Sequence, residues 1–181
     1  MVSQTPTETG FTALSAGTCS DMALRADGSI KTWSPNDLWG LVSLAPTGTG
    51  FTAIDTLGCW NLALRDDGTI EYWGSWTWST GPGYTAITAG VSNAYALREG
   101  EIGSFTANTW SPFGTGFTAI DAGYDHILAL HADGSIEVWG NDDYAQLSDK
   151  PTGTGFKAIA AGAYHNLALR EDDSPITFQF S

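Results

Sequence analysis

One phrase recurs along the chain: GFTAL at Gly10, GFTAI at Gly50, GYTAI at Gly83, GFTAI at Gly116 and GFKAI at Gly155. The intervals are 40, 33, 33 and 39 residues. A unit that small cannot bury its own apolar face, so repetition at this period confines the chain to stacked or ringed copies of one supersecondary element. The fullest copy, Gly116 to Gly140, reads GFTAIDAGYDHILALHADGSIEVWG. Its three short apolar runs, separated by a glycine-bearing break and by Asp133-Gly134, predict strand, loop, strand, tight turn, strand.

The second strands MALR, LALR, YALR, LALH and LALR place Leu24, Leu64, Leu97, Leu130 and Leu169 on one face and Ala23, Ala63, Ala96, Ala129 and Ala168 on the other. Leucine is expected to pack between neighbouring sheets, and alanine to meet another sheet at close range. The turns Asp27-Gly28, Asp67-Gly68 and Asp133-Gly134, with Glu99-Gly100 as a weaker version, predict two-residue hairpins of the primed type. The last copy aligns as P-I-T-F-Q, with one extra residue in its turn.

The N-terminal MVSQTPTETG resembles the tails LVSLAPTGTG and QLSDKPTGTG, so the chain reads as five whole units with the cut inside one of them. The expected fold is an all-β, five-bladed β-propeller filling a single domain, 1–181. Its repeats are 10–49, 50–82, 83–115, 116–154 and 155–181 plus 1–9. The segment near Val2 to Thr5 would close the blade of Phe156 to Phe180 and leave no raw edge. An open stack, a prism-like arrangement and swapping between chains are the alternatives. In the 33-residue copies the outer strand is expected to be vestigial.

In the fourth copy Ala122, Gly123, His126, Leu128 to Leu130, Asp133, Gly134, Val138 to Asn141 and Gln146-Leu147 resemble the regulator of chromosome condensation repeat family. The likeness runs along essentially the whole chain and is loosest in the third copy. The GFTAI phrase and its spacing are similar to the compact prokaryotic and viral members and to the propeller-type β-lactamase inhibitor protein. The resemblance implies a β-propeller, although family propellers usually have seven blades. Nucleotide exchange and chromatin binding, which belong to the nuclear member, are not carried over: that member uses a basic tail, and this chain is acidic.

Twenty acidic against seven basic residues give a formal charge of -13. That field repels phosphate backbones and anionic headgroups, which argues against nucleic acid and membrane surfaces as partners. No apolar run is long enough to span a bilayer, and the N-terminus has neither a basic nor an apolar leader segment; a cytoplasmic or virion-associated protein is expected. Cys19 and Cys59 hold the same place in adjacent copies and are expected as reduced, half-buried thiols, although equivalent loops could come within disulfide range.

The column Ser20, Trp60, Asn93, His126, His165 makes a poor metal site, and its polar members are expected to bond neighbouring backbone. Asp125-His126 lacks a strained nucleophile motif, so no catalytic residue, metal or cofactor is expected. Arg25, Arg65, Arg98 and Arg170 are expected to pair with the turn acids Asp27, Asp66, Asp67 or Asp172. Trp33, Trp73, Trp139 and Phe105 share one column and are assigned to packing between blades.

A second aromatic set, Trp39, Trp76, Trp78, Trp110 and Tyr144, lies in the tails after the third strand. Strand parity puts these tails at the same end as the loop after the first strand, which carries Trp60, Tyr124 and Tyr164. The acids Asp37, Asp125, Asp142 and Asp143 fall there too. Such a face suits recognition of a protein or a sugar, because rigid aromatics give contact area at small entropic cost. The competing account makes Trp76, Trp78 and Trp110 the packing residues of outer strands. The functional expectation is a non-enzymatic binding or assembly module that docks a protein partner, as a virion or surface component or an enzyme inhibitor. The alternative is a glycan-binding propeller.

Overall fold

The computed structural model describes residues 6–75, 77–106 and 109–178. Among them the chain is all-β, in five small antiparallel sheets of the propeller-blade kind, one for each repeat. Repeat one forms β1 (Phe11–Ala16), β2 (Asp21–Arg25) and β3 (Ile30–Trp33), then a 3-10 turn at Leu38–Gly40. Repeat two forms β4 (Phe51–Leu57), β5 (Trp60–Arg65), β6 (Ile70–Gly74) and β7 (Trp78–Ser79). Repeat three has β8 (Tyr84–Ala89), β9 (Ala94–Arg98), β10 (Glu101–Thr106) and β11 (Thr109–Thr115). Repeat four has β12 (Phe117–Ala122), β13 (His126–His131) and β14 (Ile136–Gly140); repeat five has β15 (Phe156–Ala161), β16 (Asn166–Arg170) and β17 (Pro175–Phe178). The chain divides into two compact units, one ending at Ala89 and one beginning at Gly90. The expected pairing of Val2 to Thr5 with repeat five falls outside the described residues.

Leucine and alanine divide the faces of the second strands as their alternation predicts. Met22 and Leu24 of β2 are buried with Phe51, Ala63 and Trp73 of the next repeat. In the second unit Leu128 and Leu130 of β13 are buried with Phe156 and Ala168. A leucine face of one sheet thus closes on the small alanine of the next, which is why only Ala fits there. Leu14 of β1 and Leu167 of β16 stand exposed, whereas Met22, Leu62 and Leu128, the equivalents of Leu167, are fully buried.

The hairpin turns differ from the primed type expected. In repeat one Arg25 N donates to Ser29 O and Gly28 N donates to Arg25 O, both at 2.9 Å, so the loop has three residues and ends in a left-handed Gly28 (φ 78). This is a type I turn with a glycine bulge. The aspartate braces the loop from its side chain, since Asp27 Oδ1 accepts from Ser29 N at 2.8 Å and from Ser29 Oγ at 2.7 Å. Asp67 with Thr69, Asp133 with Ser135 and Asp172 with Ser174 repeat the arrangement. These bonds hold the four carboxyls below the usual range. Among the described residues only repeat three makes the two-residue turn, with Arg98 opposite Glu101 and positive φ at both Glu99 (51) and Gly100 (77).

Repeat five has no extra turn residue. Arg170 N donates to Ser174 O, so its loop matches that of repeat one, with Asp173 (φ 66) where Gly28 stands. The difference lies one step later: Pro175, not Ile176, pairs with Leu169, and Phe178 pairs with Asn166. Phe178 is therefore the buried fifth member of the Trp/Phe column. An L-residue held at left-handed φ costs about 1 kcal/mol or more. Asp173→Gly is accordingly expected to raise the unfolding free energy by about 1 kcal/mol, read from the urea midpoint, because the ion pair it gives up with Lys157 is exposed.

The opening phrase is anchored by main-chain bonds to two turns. Phe51 N donates to Gly28 O of the preceding repeat at 3.0 Å, while Asp66 N, in the turn of its own repeat, donates to Gly50 O at 2.9 Å. Tyr84 N to Gly68 O, Phe117 N to Gly100 O and Phe156 N to Gly134 O are the same stitch. A Cβ on Gly134 would lie 2.7 Å from Gly155 N, so the approach itself requires glycine.

The arginines also differ from expectation. Arg65 pairs with Glu71 on β6 at 2.8 Å and lies 4.1 Å above the Phe51 ring, and Arg25 reaches Glu8 and the Phe11 ring. Because the turn acids already accept from the Ser or Thr two residues on, Arg65 turns across the sheet to the third-strand Glu71, and Arg25, Arg65 and Arg170 each lie over the opening phenylalanine of their own repeat.

The outer strands reverse the length argument. The 33-residue repeats are the ones with a fourth strand, β7 or β11, while the longer repeats one and four end at the third. A short tail has only enough chain to run straight back along the sheet. The longer tails fold into a loop around an aspartate.

Candidate functional site

In each unit the loop after the first strand lies beside the segment after the third. Ser34 Oγ donates to Cys19 O at 2.7 Å in the first, and Asn141 N donates to Asp125 O at 2.8 Å in the second. This is the parity expected from the sequence, and it assembles a separate group of side chains in each unit.

The two long tails fold alike. Asp37 Oδ1 accepts from Val42 N at 2.7 Å, and its carboxylate also accepts from Ser43 N. Asp142 Oδ1 accepts from Leu147 N at 2.7 Å and Ser148 N at 3.0 Å. Hydrogen bonds from Ser43 and Val42 hold Asp37 below the usual carboxylate range, and those from Leu147 and Ser148 do the same for Asp142. Both acids build their loops, a role the sequence pattern suggests only for turn acids. Asp143 is tied back to Asn141, whose side chain donates to Asp143 Oδ2 and accepts from Asp143 N. Each loop raises one aromatic into solvent: Trp39 in the first unit and Tyr144 in the second.

Under each loop lies a buried polar staple that the sequence pattern does not announce. Asn61 Nδ2 donates to Leu41 O at 3.3 Å while its Oδ1 accepts from Ser20 Oγ at 2.9 Å. Trp73 Nε1 donates to the same carbonyl. In the second unit Asn166 Nδ2 donates to Gln146 O at 3.1 Å, and Asn166 Oδ1 meets His126 Nε2 at 2.7 Å. The amide geometry makes Nε2 the protonated nitrogen of His126. The available signal was the asparagine one place after the histidine column, present at Asn61 and Asn166 alone. His126 thus bonds a side chain of the next repeat rather than neighbouring backbone. Its ring lies against the Cα of Gly123, and His165 lies likewise against Gly162, which explains the glycine three residues before each histidine. Where Trp60 replaces the histidine, Leu57 replaces the glycine.

Burial pushes the His126 imidazole below its ordinary 6.5, the largest cause; the bond to Asn166 and the Asp125 charge act upward, and His165 acts downward. With the folded value depressed, the unfolded chain takes up the proton first. The contribution of His126 is therefore complete above about pH 6.5 and is lost as pH falls through the lower folded value. Urea midpoints are expected to decline below that pH, and His126→Asn is expected to flatten the decline.

In the first unit Cys19 and Cys59 form a disulfide with Cα atoms 5.2 Å apart, in place of the reduced thiols expected. Packing of successive sheets brings the two equivalent loops within bridging distance. Trp60, expected on the open face, is half-buried, with its ring 6.2 Å from that of Tyr72. Asp55, close by, accepts from Ser15 Oγ, Thr56 N and Ala89 N and so joins strands of three repeats. Burial outweighs these bonds and raises its carboxyl above the usual range. Trp78 and Trp110 lie on outer strands β7 and β11, but their side chains, like Trp76 as a whole, fall outside the described residues.

The second unit gathers three tyrosines. Tyr124, Tyr164 and Tyr144 are 42%, 45% and 50% exposed, yet Tyr164 touches both others, with ring centroids 5.6 Å from Tyr124 and 4.7 Å from Tyr144. Their backbones are fixed. Tyr124 N donates to Ala163 O, Val91 N donates to Tyr124 O, and Tyr144 N donates to the buried Gln146 Oε1 at 2.9 Å. Asp125, Asp142 and Asp143 are exposed beside them. Among the described residues no group of three His, Cys, Asp or Glu is arranged to hold a metal, and no helix is long and apolar enough to cross a membrane.

Five blade-type sheets on one repeated phrase define a repeat β-propeller protein. Residues 117–146 match the model of the Regulator of chromosome condensation (RCC1) repeat. It is similar in fold to the ectodomain of the Physcomitrella patens receptor kinase CR4, at TM-score 0.80 and 19% identity over 93% of this chain and 53% of that one. Yeast RCC1 (Prp20), in its structure with Kap60, gives TM-score 0.77 and 16% identity over 92% of this chain and 55% of that one. The computationally designed Ika8 protein gives TM-score 0.63 and 15% identity over 93% and 58%. The chain spans about half the length of the first two. No curated protein matches it in sequence.

Proposed function

We propose that the chain is a non-enzymatic module that docks a protein partner through the end of the sheets where the tyrosine cluster lies. The observation that supports this most is the contact of three half-exposed tyrosines on loops whose backbones are hydrogen-bonded in place. Rigid aromatics on a fixed base lose little entropy on binding, as protein hot spots require. Yeast RCC1, which is similar in fold, is bound to Kap60 in its structure, a likeness that favours protein as the partner class. The rings are tilted by 34° and 44°, which offers no flat platform for a sugar face. His126, the residue a catalytic reading would need, is buried and bonded to Asn166.

The test places a photo-crosslinking amino acid at Tyr164, and separately at Ala132 in a turn at the opposite end, in extract from the native source. Crosslinking to one protein from position 164 and none from 132 supports the proposal. Equal crosslinking from both, or none, overturns it, and glycan-array binding that Tyr164→Ala abolishes would put a lectin in its place.

A further inference from the structure

We propose that the Tyr124, Tyr164 and Tyr144 cluster receives an arginine or lysine side chain of a basic peptide segment. The inference rests on the docking function above and specifies its chemistry. Tyr164 is in ring contact with both neighbours and tilted to both, so the three half-exposed rings form one continuous aromatic surface. Ring faces carry the negative end of the aromatic quadrupole, and a guanidinium or ammonium within about 6 Å of a centroid is attracted to it. The same chain already makes this contact internally, with the Arg65 and Arg170 guanidiniums 4.1 and 4.8 Å from the Phe51 and Phe156 centroids.

The surrounding charge has one sign. The three loops that carry the rings, 123–126, 140–146 and 162–165, contain Asp125, Asp142 and Asp143 and no Lys or Arg. Of their two histidines, His126 is buried beneath the loop. Asp142 and Asp143 are locked by their own loop bonds, so their charges stand in place before a ligand arrives. With a formal charge of -13 on the whole chain, an anionic partner would be repelled and a cationic one drawn in. Aromatic faces alone would also accept an apolar ligand; the fixed carboxylates beside them favour a cation.

The probe is a fluorescently labelled peptide alternating arginine with serine, measured by anisotropy against its glutamate counterpart. The arginine peptide is expected to bind, more weakly as salt is raised, and the glutamate peptide not to bind. Tyr164→Ala is expected to weaken binding about tenfold, and Asp125→Asn by a few-fold, with circular dichroism unchanged. Tyr164→Phe keeps the ring face and is expected to keep most of the affinity, while Trp39→Ala in the other unit is expected to change nothing. Equal binding of the two peptides, no binding of either, or full affinity in natively folded Tyr164→Ala overturns the proposal. If position 164 still crosslinks to a protein when the arginine peptide does not bind, the docking function stands and only its cationic chemistry falls. If both fail, both are wrong.

Discussion

Breaking the bond between Cys19 and Cys59 is expected to lower the unfolding free energy by about 4 kcal/mol, the chain-entropy value for a loop of this length, and by no less than about 2. The two cysteines are 40 residues apart, so the bond closes a loop one whole repeat long. Its loss frees the unfolded chain without removing any sheet pairing. The effect should therefore appear as a lower urea midpoint, with the far-ultraviolet spectrum of the native protein unchanged. Thiol titration of the unreduced, denatured protein is expected to find no free cysteine, and two after reduction. Cys59→Ser should match the reduced protein in stability. Two free thiols in the protein as purified would contradict the assignment, and a midpoint indifferent to reductant would contradict its energetic role.

Gly123→Ala is expected to cost about 3 kcal/mol or more, the upper end for overpacking a site with no room to relax. A Cβ there would press on the His126 ring, lying 2.7 Å from Nδ1, and on the main-chain Gly162 O of the next repeat. A ring can be removed, but a carbonyl cannot. The double variant Gly123→Ala, His126→Ser, which borrows the serine that repeat one carries at Ser20, is accordingly expected to recover part of the loss and not all. Gly81→Ala, at a position with nothing within 4 Å and no positive φ, should stay within about 0.5 kcal/mol of wild type. Equal midpoints for Gly123→Ala and Gly81→Ala would show that the histidine-on-glycine packing is not required.

The fold was legible where one residue type answers to one physical demand in every copy. Alternating Leu and Ala fixed the faces of the second strands, because burial between two sheets leaves no other arrangement. The Asp-Gly pairs marked the turns correctly and misnamed their type. The bond from Asp27 to Ser29 stabilises a three-residue loop, and the serine or threonine after each Asp-Gly carries that signal. Repeat five was misaligned by one place because Ile176 resembles the isoleucine of the other copies, whereas pairing puts Pro175 there and brings Phe178 into the core.

The candidate site was legible in outline. Strand parity alone brings Tyr124, Tyr144 and Tyr164 to one end of the second unit, and the structure has them in ring contact. What the sequence could not supply was the base beneath them. The Asn166 staple joins a histidine to a carbonyl 20 residues away from it, and no local pattern links the two. Nor could the sequence show which of the acids at that end folds its own loop. Asp125 and Asp142 look alike on the page, and only the amides of Leu147 and Ser148 tell them apart.

The stitches that hold each opening phrase to the turn before it, such as Phe51 N to Gly28 O, join main chain to main chain. A joint of that kind is indifferent to what the side chains elsewhere in the repeat become. Duplication can therefore add a copy without inventing a new interface, and the copies can then drift apart everywhere except in a few small and aromatic positions. In a lineage built this way, the number of repeats and the identity of the ligand can evolve on separate clocks.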